Sequence, residues 1–171
     1  GMPDDMIADG TFWATSVAYD LIMNCESGLS ALLADELWSL VGATANPQAA
    51  GFIFEMVKTI RGLGGIAVTS TQGMQDLFGL EGGSYGKGIL DASRIKLVMQ
   101  MEEQEARLIQ DKLNLSEDEV RQITRFRRGE GLLCIGYNHV PVAFYTTPKE
   151  YEAITTSPTD LRRERQGDSN E

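Results

Sequence analysis

Asp35 and Glu36 stand side by side at the end of an apolar run, in the string Leu-Leu-Ala-Asp-Glu-Leu-Trp over Leu32–Trp38. A strand buried in a parallel sheet delivers such a pair to the sheet's C-terminal edge, where open α/β folds bind their ligands. There the Asp can help hold Mg2+, and the neighbouring acid can position or activate an attacking water, the chemistry of nucleotide hydrolysis. The same pair also suits a helix N-terminus, where acids are favoured against the macrodipole. Other reactive side chains are sparse. His139 is the single histidine and stands beside Asn138 at a hairpin signal, so it reads as a solvated turn residue. Cys25 and Cys134 lie in apolar stretches without CxxC or Cys/His spacing and read as buried free thiols of a reducing compartment. Trp13, Trp38 and the methionines read as core or subunit-interface packing, Trp38 close to the two carboxylates.

The elements that must position the pair can be followed along the chain. Residues 11–25 lack a helix breaker and carry Phe12, Val17, Leu21 and Ile22 at helical spacings, which predicts a helix. Leu29–Ala34 is almost wholly apolar, as in a central strand covered on both faces. Pro47 opens a helix to about Leu63, punctuated by Gly62, Gly64 and Gly65. Gly65–Thr71 reads as a second buried strand with Gln72 directly after it. A helical turn over Met74–Phe78, a Gly-rich loop over 81–88 and a short helix over Gly86–Ala92 follow, with Lys87 in the exposed loop. Arg94–Met101 alternates as a third strand. Glu102–Leu113 and Ser116–Phe126 are charged amphipathic helices, the second opened by a Ser116/Glu119 capping box. Gly131–Tyr137 and Val140–Tyr145 read as strands joined at Asn138-His139. Residues 157–171 are charged, lack apolar periodicity and read as a disordered tail. Strands alternating with helices and closed by a hairpin give an α/β sandwich with a mostly parallel sheet and an antiparallel edge.

With 171 residues, 42% of them hydrophobic, the chain can bury one substantial core. A net charge of −10 argues against nucleic-acid binding by bulk electrostatics, though local basic residues could still touch DNA within an assembly. No apolar run approaches the ~20 residues of a membrane span and no signal peptide stands out, so a cytoplasmic setting is expected. Gly1 before Met2 reads as a scar of tag removal.

Five strings taken together resemble one family: Ala34-Asp-Glu-Leu-Trp-Ser-Leu, Glu55-Met-Val-Lys-Thr-Ile-Arg61-Gly-Leu-Gly-Gly, Thr69-Ser-Thr-Gln72, Tyr85-Gly-Lys-Gly-Ile89 and Gly129-Glu-Gly-Leu-Leu133. In order and spacing, from about residue 9 to Thr156, the chain resembles the conjugative-transfer ATPases of type IV secretion systems (TraE/TraC-type, within the RecA-like HerA-FtsK superfamily). The resemblance implies the C-terminal part of a RecA-like P-loop domain over residues 1–156, from a hexameric motor that couples ATP hydrolysis to DNA or protein export or to channel assembly. It implies Asp35 and Glu36 as the Walker B pair, Asp35 acting on Mg2+ through water and Glu36 polarising the attacking water. Gln72 matches the Gln that ends the next strand; its amide both donates and accepts, which suits contact with an ATP γ-phosphate and orientation of water. In such rings an Arg from the neighbouring subunit completes the site. Arg128 is the first candidate and Arg127 the second, within Arg125–Gly129, with Arg94 and Lys96 at the start of a strand behind them; the Arg125, Arg127 and Arg128 group also suits a structural place, cations being favoured at helix C-termini. Implied partners are further copies of the chain and other secretion components, with DNA and the inner membrane face reached only through the assembly.

The chain departs from the family in one large respect, for it contains no G-x-x-x-x-G-K-[ST] string. The glycines between Gly79 and Gly88 with Lys87 have another spacing and follow the Asp-Glu strand instead of preceding it. A phosphate-cradling loop supplies backbone N–H donors and a Lys. The expectation is therefore a piece that begins downstream of its P-loop and is inactive alone. Two other readings stay open: a RecA-like interaction or structural module without catalysis, and a different Mg2+-dependent phosphohydrolase that would recruit Asp76 or Asp91.

Overall fold

The computed structural model describes residues 4–24, 29–41, 45–78 and 84–155. Its elements run α1 (Asp4–Met23), β1 (Ala31–Ala34), α2 (Leu37–Val41), α3 (Pro47–Thr59), a 3-10 turn (Ile60–Leu63), β2 (Ile66–Thr69), α4 (Met74–Leu77), α5 (Ser84–Ala92), β3 (Ile95–Met99), α6 (Glu103–Leu113), α7 (Glu117–Ile123), β4 (Glu130–Ile135), β5 (Asn138–Ala143) and α8 (Pro148–Ile154). Cys25, residues 81–83 of the expected Gly-rich loop and the charged tail lie outside the described residues, and residues 84–88 of that loop belong instead to α5.

The expected α/β class holds. β1 and β2 form a parallel pair in which Ala34 faces Thr69, with α2 and α3 forming the crossover. β3, β4 and β5 form an antiparallel sheet in that order. The parallel component is thus one pair, and β3 belongs with the hairpin.

Local chemistry explains the boundaries. Asn46 caps α3 through its side-chain oxygen, which accepts from the Gln48 and Ala49 N–H groups, and Pro47 fills the first helical position. Ser116 and Glu119 make the expected capping box of α7. A second box, Thr147 with Glu150 and Pro148 between them, starts α8, a helix that the sequence reading passed over.

Two apolar clusters carry the packing. One joins Ala34, Leu37, Val41, Ile53, Met56 and Ile89; the other joins Val98, Ile109, Val120, Ile123, Leu132 and Cys134. Met74 and Phe78 pack against both, so α4 and the residue after it weld them together.

Three sequence expectations are corrected. Among the described residues β1 is covered on one face: Leu33 is 75% exposed, and Ile66 and Val68 of β2 share its open face. Trp13, expected in a core or at a subunit interface, is exposed on α1, which removes only the core reading. The hairpin turns at Gly136-Tyr137, where Gly136 takes a φ of 62°, and Asn138 and His139 already belong to β5. Among the described residues no helix is long and apolar enough to cross a membrane.

Candidate active site

The ladder between β1 and β2 continues past both strand ends. Ser70 N–H donates to the Ala34 carbonyl at 2.9 Å, and Leu37 N–H donates to the Ser70 carbonyl at 2.8 Å. Because the strands are parallel, their C-terminal ends lie at one edge, and the residues just beyond them meet there. Asp35 and Ser70 are such a pair, as are Glu36 and Gln72.

The Ser70 hydroxyl donates to Asp35 Oδ1, and the Glu36 N–H donates to the same oxygen at 3.0 Å. The Ser70 hydroxyl first, and the Glu36 N–H second, hold the Asp35 carboxyl below its ordinary pKa. Asp35 is exposed and ionised at neutral pH, and both bonds fall on Oδ1, which leaves Oδ2 for a ligand.

Glu36 is half-buried and held at both oxygens. The Gln72 side-chain amide donates to Oε1, and the Trp38 indole N–H donates to Oε2 at 2.7 Å. Its backbone has φ 51°, a left-handed conformation that costs a residue with a side chain about 1–2 kcal/mol. Ser39 secures that turn, its N–H and its hydroxyl each donating to the Glu36 carbonyl at 2.8 Å. Strain of this kind persists where surrounding structure over-determines it.

The structure therefore brings three sequence-derived candidates together, Asp35, Glu36 and Gln72. It also adds Ser70, which the sequence reading did not single out although it lies in the Thr-Ser-Thr-Gln string. Arg127 and Arg128 stand elsewhere, in the turn between α7 and β4, with exposed side chains and no ion pair among the described residues. The turn itself is built: Arg127 N–H donates to Glu130 Oε2 at 2.8 Å, and Gly129 takes a φ of 84°. Arg94 is exposed beside β3, whereas Lys96 Nζ donates to the Ser93 carbonyl at 2.6 Å.

Lys87 is a helical residue of α5 and not a loop residue. Its glycine neighbours serve packing. A Cβ on Gly86 would strike the Leu77 carbonyl, and one on Gly88 would strike the Phe54 ring. The spacing that hints at a phosphate loop is a close approach of α5 to α3 and α4.

His139, expected in solvent, is nine-tenths buried, with Nδ1 2.7 Å from Glu119 Oε1. Burial opposes charge on Glu119, but the Ser116 N–H and hydroxyl and then His139 outweigh it and hold its pKa below the usual range. Cys134, paired with His139 across the hairpin, is buried as expected, and burial pushes its thiol up.

The donor set fits a cation held mainly by phosphate and water. Asp35 offers one free carboxylate oxygen, and among the described residues no three His, Cys, Asp or Glu converge as a protein cage would require. Asp91 is exposed on α5, so the alternative of further converging acids gains nothing from it. The site lies open at the sheet edge. Two shallow depressions among the described residues lie elsewhere: about 360 Å3 between Arg125, Phe126 and Val142, and about 470 Å3 beside Asn114, Glu119 and His139.

Comparison with known proteins gives the fold a setting. No family model matches the chain, and no curated protein matches it. The chain is similar in structure to VirB4 of Thermoanaerobacter pseudethanolicus, with a TM-score of 0.78 and 28% identity over 88% of this chain and 40% of that one. It also shares its fold with the genome packaging NTPase B204 of Sulfolobus turreted icosahedral virus 2, solved in complex with AMPPCP, with a TM-score of 0.59 and 14% identity over 82% of this chain and 63% of that one. The resemblance to type IV secretion ATPases drawn from the sequence is borne out, and the chain spans about 40% of the length of the VirB4 chain it matches.

Proposed function

We propose that this chain is the water-activating part of a nucleotide-hydrolysing motor of the type IV secretion kind, working in conjugative transfer or channel assembly. The observation that carries the proposal is the meeting of Asp35, Glu36, Ser70 and Gln72 at one edge of the parallel pair. The likeness to VirB4 supports it.

Bound Mg2+·ATP would supply the phosphoryl group and a charge-neutralising cation. Asp35, kept ionised by Ser70 and the Glu36 N–H, is the residue to hold the cation through water. Glu36 is the general base that accepts a proton from the attacking water at a carboxylate oxygen. Gln72 turns its amide between Glu36 and the γ-phosphate, and so orients the water. Arg128, or Arg127 beside it, reaches the site of a neighbouring copy in a hexameric ring, where a fixed guanidinium offsets developing charge. These residues contain no P-loop string, so the motor reading needs one from elsewhere in the motor. The acidic surface leaves DNA to contacts made by the assembly, and the motor stands at the inner membrane face only through its secretion partners.

The missing G-x-x-x-x-G-K-[ST] string specifically favours a second reading, a RecA-like structural module without catalysis. One experiment separates the two: Mg2+-dependent ATP hydrolysis by the full-length product of the gene, beside its Glu36→Gln variant. Hydrolysis that collapses in the variant while nucleotide still binds supports the motor. A gene product without a P-loop, or a variant as fast as wild type, sinks it and leaves the structural module. The 171-residue chain alone is expected to hydrolyse nothing.

A further inference from the structure

The two partners of Glu36 differ in kind. Trp38 is two residues away on the turn that opens α2, is partly buried, and packs against the apolar cluster of α2, α3 and α5. Its indole N–H is a donor only, on a side chain with two torsions. It cannot trade this bond for an acceptor's role, and its packing holds it still. Gln72 lies on the loop after β2 with an exposed side chain. Its amide is free to rotate and can give its donor to another anionic oxygen.

We infer that Trp38 is the positioning residue of Glu36, its indole N–H fixing Oε2 in place, while Gln72 is the exchangeable partner on Oε1. This inference rests on the proposed role of Glu36 and names what aims it. A carboxylate tethered at one oxygen by a rigid ring keeps its plane and direction when the other oxygen is released. A general base depends on that direction, because a displacement of about 1 Å at a reacting centre can cost on the order of 100-fold in rate. The left-handed backbone of Glu36 serves the same end, bringing its side chain back onto the ring two residues ahead.

The test has a spectroscopic arm and a kinetic arm. Trp13 is exposed on α1, so Trp13→Phe leaves Trp38 as the only indole of the 171-residue chain. In that background the indole N–H resonance is expected downfield, with slowed exchange against solvent. Glu36→Leu should move it upfield and speed exchange at least about tenfold, Glu36→Gln should give an intermediate shift, and Gln72→Ala should leave it in place. An indole resonance that Glu36→Gln and Glu36→Leu both leave unmoved overturns the contact. A resonance that Gln72→Ala also releases overturns the distinction between a fixed and an exchangeable partner. In the full-length protein, Trp38→Phe should lower kcat by about 10- to 100-fold with KM within about twofold, and Trp38→His, which keeps an N–H donor, should recover part of the loss. If Glu36→Gln abolishes hydrolysis while Trp38→Phe retains full kcat, Trp38 positions nothing. If Glu36→Gln hydrolyses as fast as wild type, the motor reading fails, and the indole resonance still decides the contact.

Discussion

Asp35 and Ser70 are 35 positions apart in the chain, yet the hydroxyl of one fixes the carboxylate of the other. Ser70→Ala should therefore raise the Asp35 pKa toward its ordinary value, readable as a carboxyl carbon titration by NMR. The sign follows from the direction of the shift: a depressed native pKa adds stability above the unfolded value, and that stability is lost as pH falls through the native one. The variant should lose that acid-side dependence while its neutral-pH spectrum stays native. Asp35, Glu36 and Gln72 were legible because apolar runs that end in polar residues announce strand ends. Ser70 and the Trp38 bond were not, because they depend on the register of β1 against β2 and on the left-handed turn at Glu36, and neither is written in composition or spacing.

The junction of α7 with the hairpin shows how one side chain can serve two elements. Glu119 closes the capping box of α7 with Ser116 and also meets His139 Nδ1 in β5. Ser116→Ala removes the hydroxyl that accepts from the Glu119 N–H and donates to the Glu119 carboxylate, and should cost about 1 kcal/mol in a denaturant melt. Glu119→Ala also leaves a buried imidazole nitrogen unpaired and should cost more, about 2 kcal/mol. Glu119 is held below the usual carboxylate range, so this contribution is complete above that range and fades as pH falls below it. A Glu119→Gln melt should lack that acid-side slope. Gly86 couples elements by another route. A methyl group there meets the Leu77 carbonyl, and Gly86→Ala should cost about 1–3 kcal/mol through forced separation of α5 from α4. The capping box at Ser116 could be read from two residues, and the one at Thr147 carries the same signature ahead of a helix too short to show periodicity. The hairpin turn moved from Asn138-His139 to Gly136-Tyr137 because a tight turn takes the residue that tolerates positive φ, and Gly136 supplies it.

At the scale of the whole molecule, each apolar core covers its sheet from one side among the described residues. Ile66 and Val68 stand beside Leu33 on the open face of the parallel pair, and Ile95, Leu97 and Met99 of β3 line an open face of the second sheet beside Ile135 and Val140. Trp13, Val17 and Leu21 form a further exposed stripe at helical spacing on α1. Of these runs, that of β1 reads in sequence as a strand covered on both faces and that of β2 as a buried strand, because an unbroken apolar run reports what a strand can bury and not which neighbour covers it. Apolar faces of this extent bind hydrophobic dyes and promote association. In the isolated chain, Leu33→Lys should lower dye binding and concentration-dependent association while changing the melt by less than about 0.5 kcal/mol, since that side chain already faces solvent. Leu32→Lys, one residue earlier and on the covered face, should unfold the first cluster, because a one-residue step along a strand exchanges solvent for core. Equal effects of the two lysines on the melt would mean that both faces of β1 are covered in solution. A large effect at Leu32 alone would place the uncovered surface at the same sheet whose edge holds Asp35 and Glu36, so anything that docks on that face also borders the site.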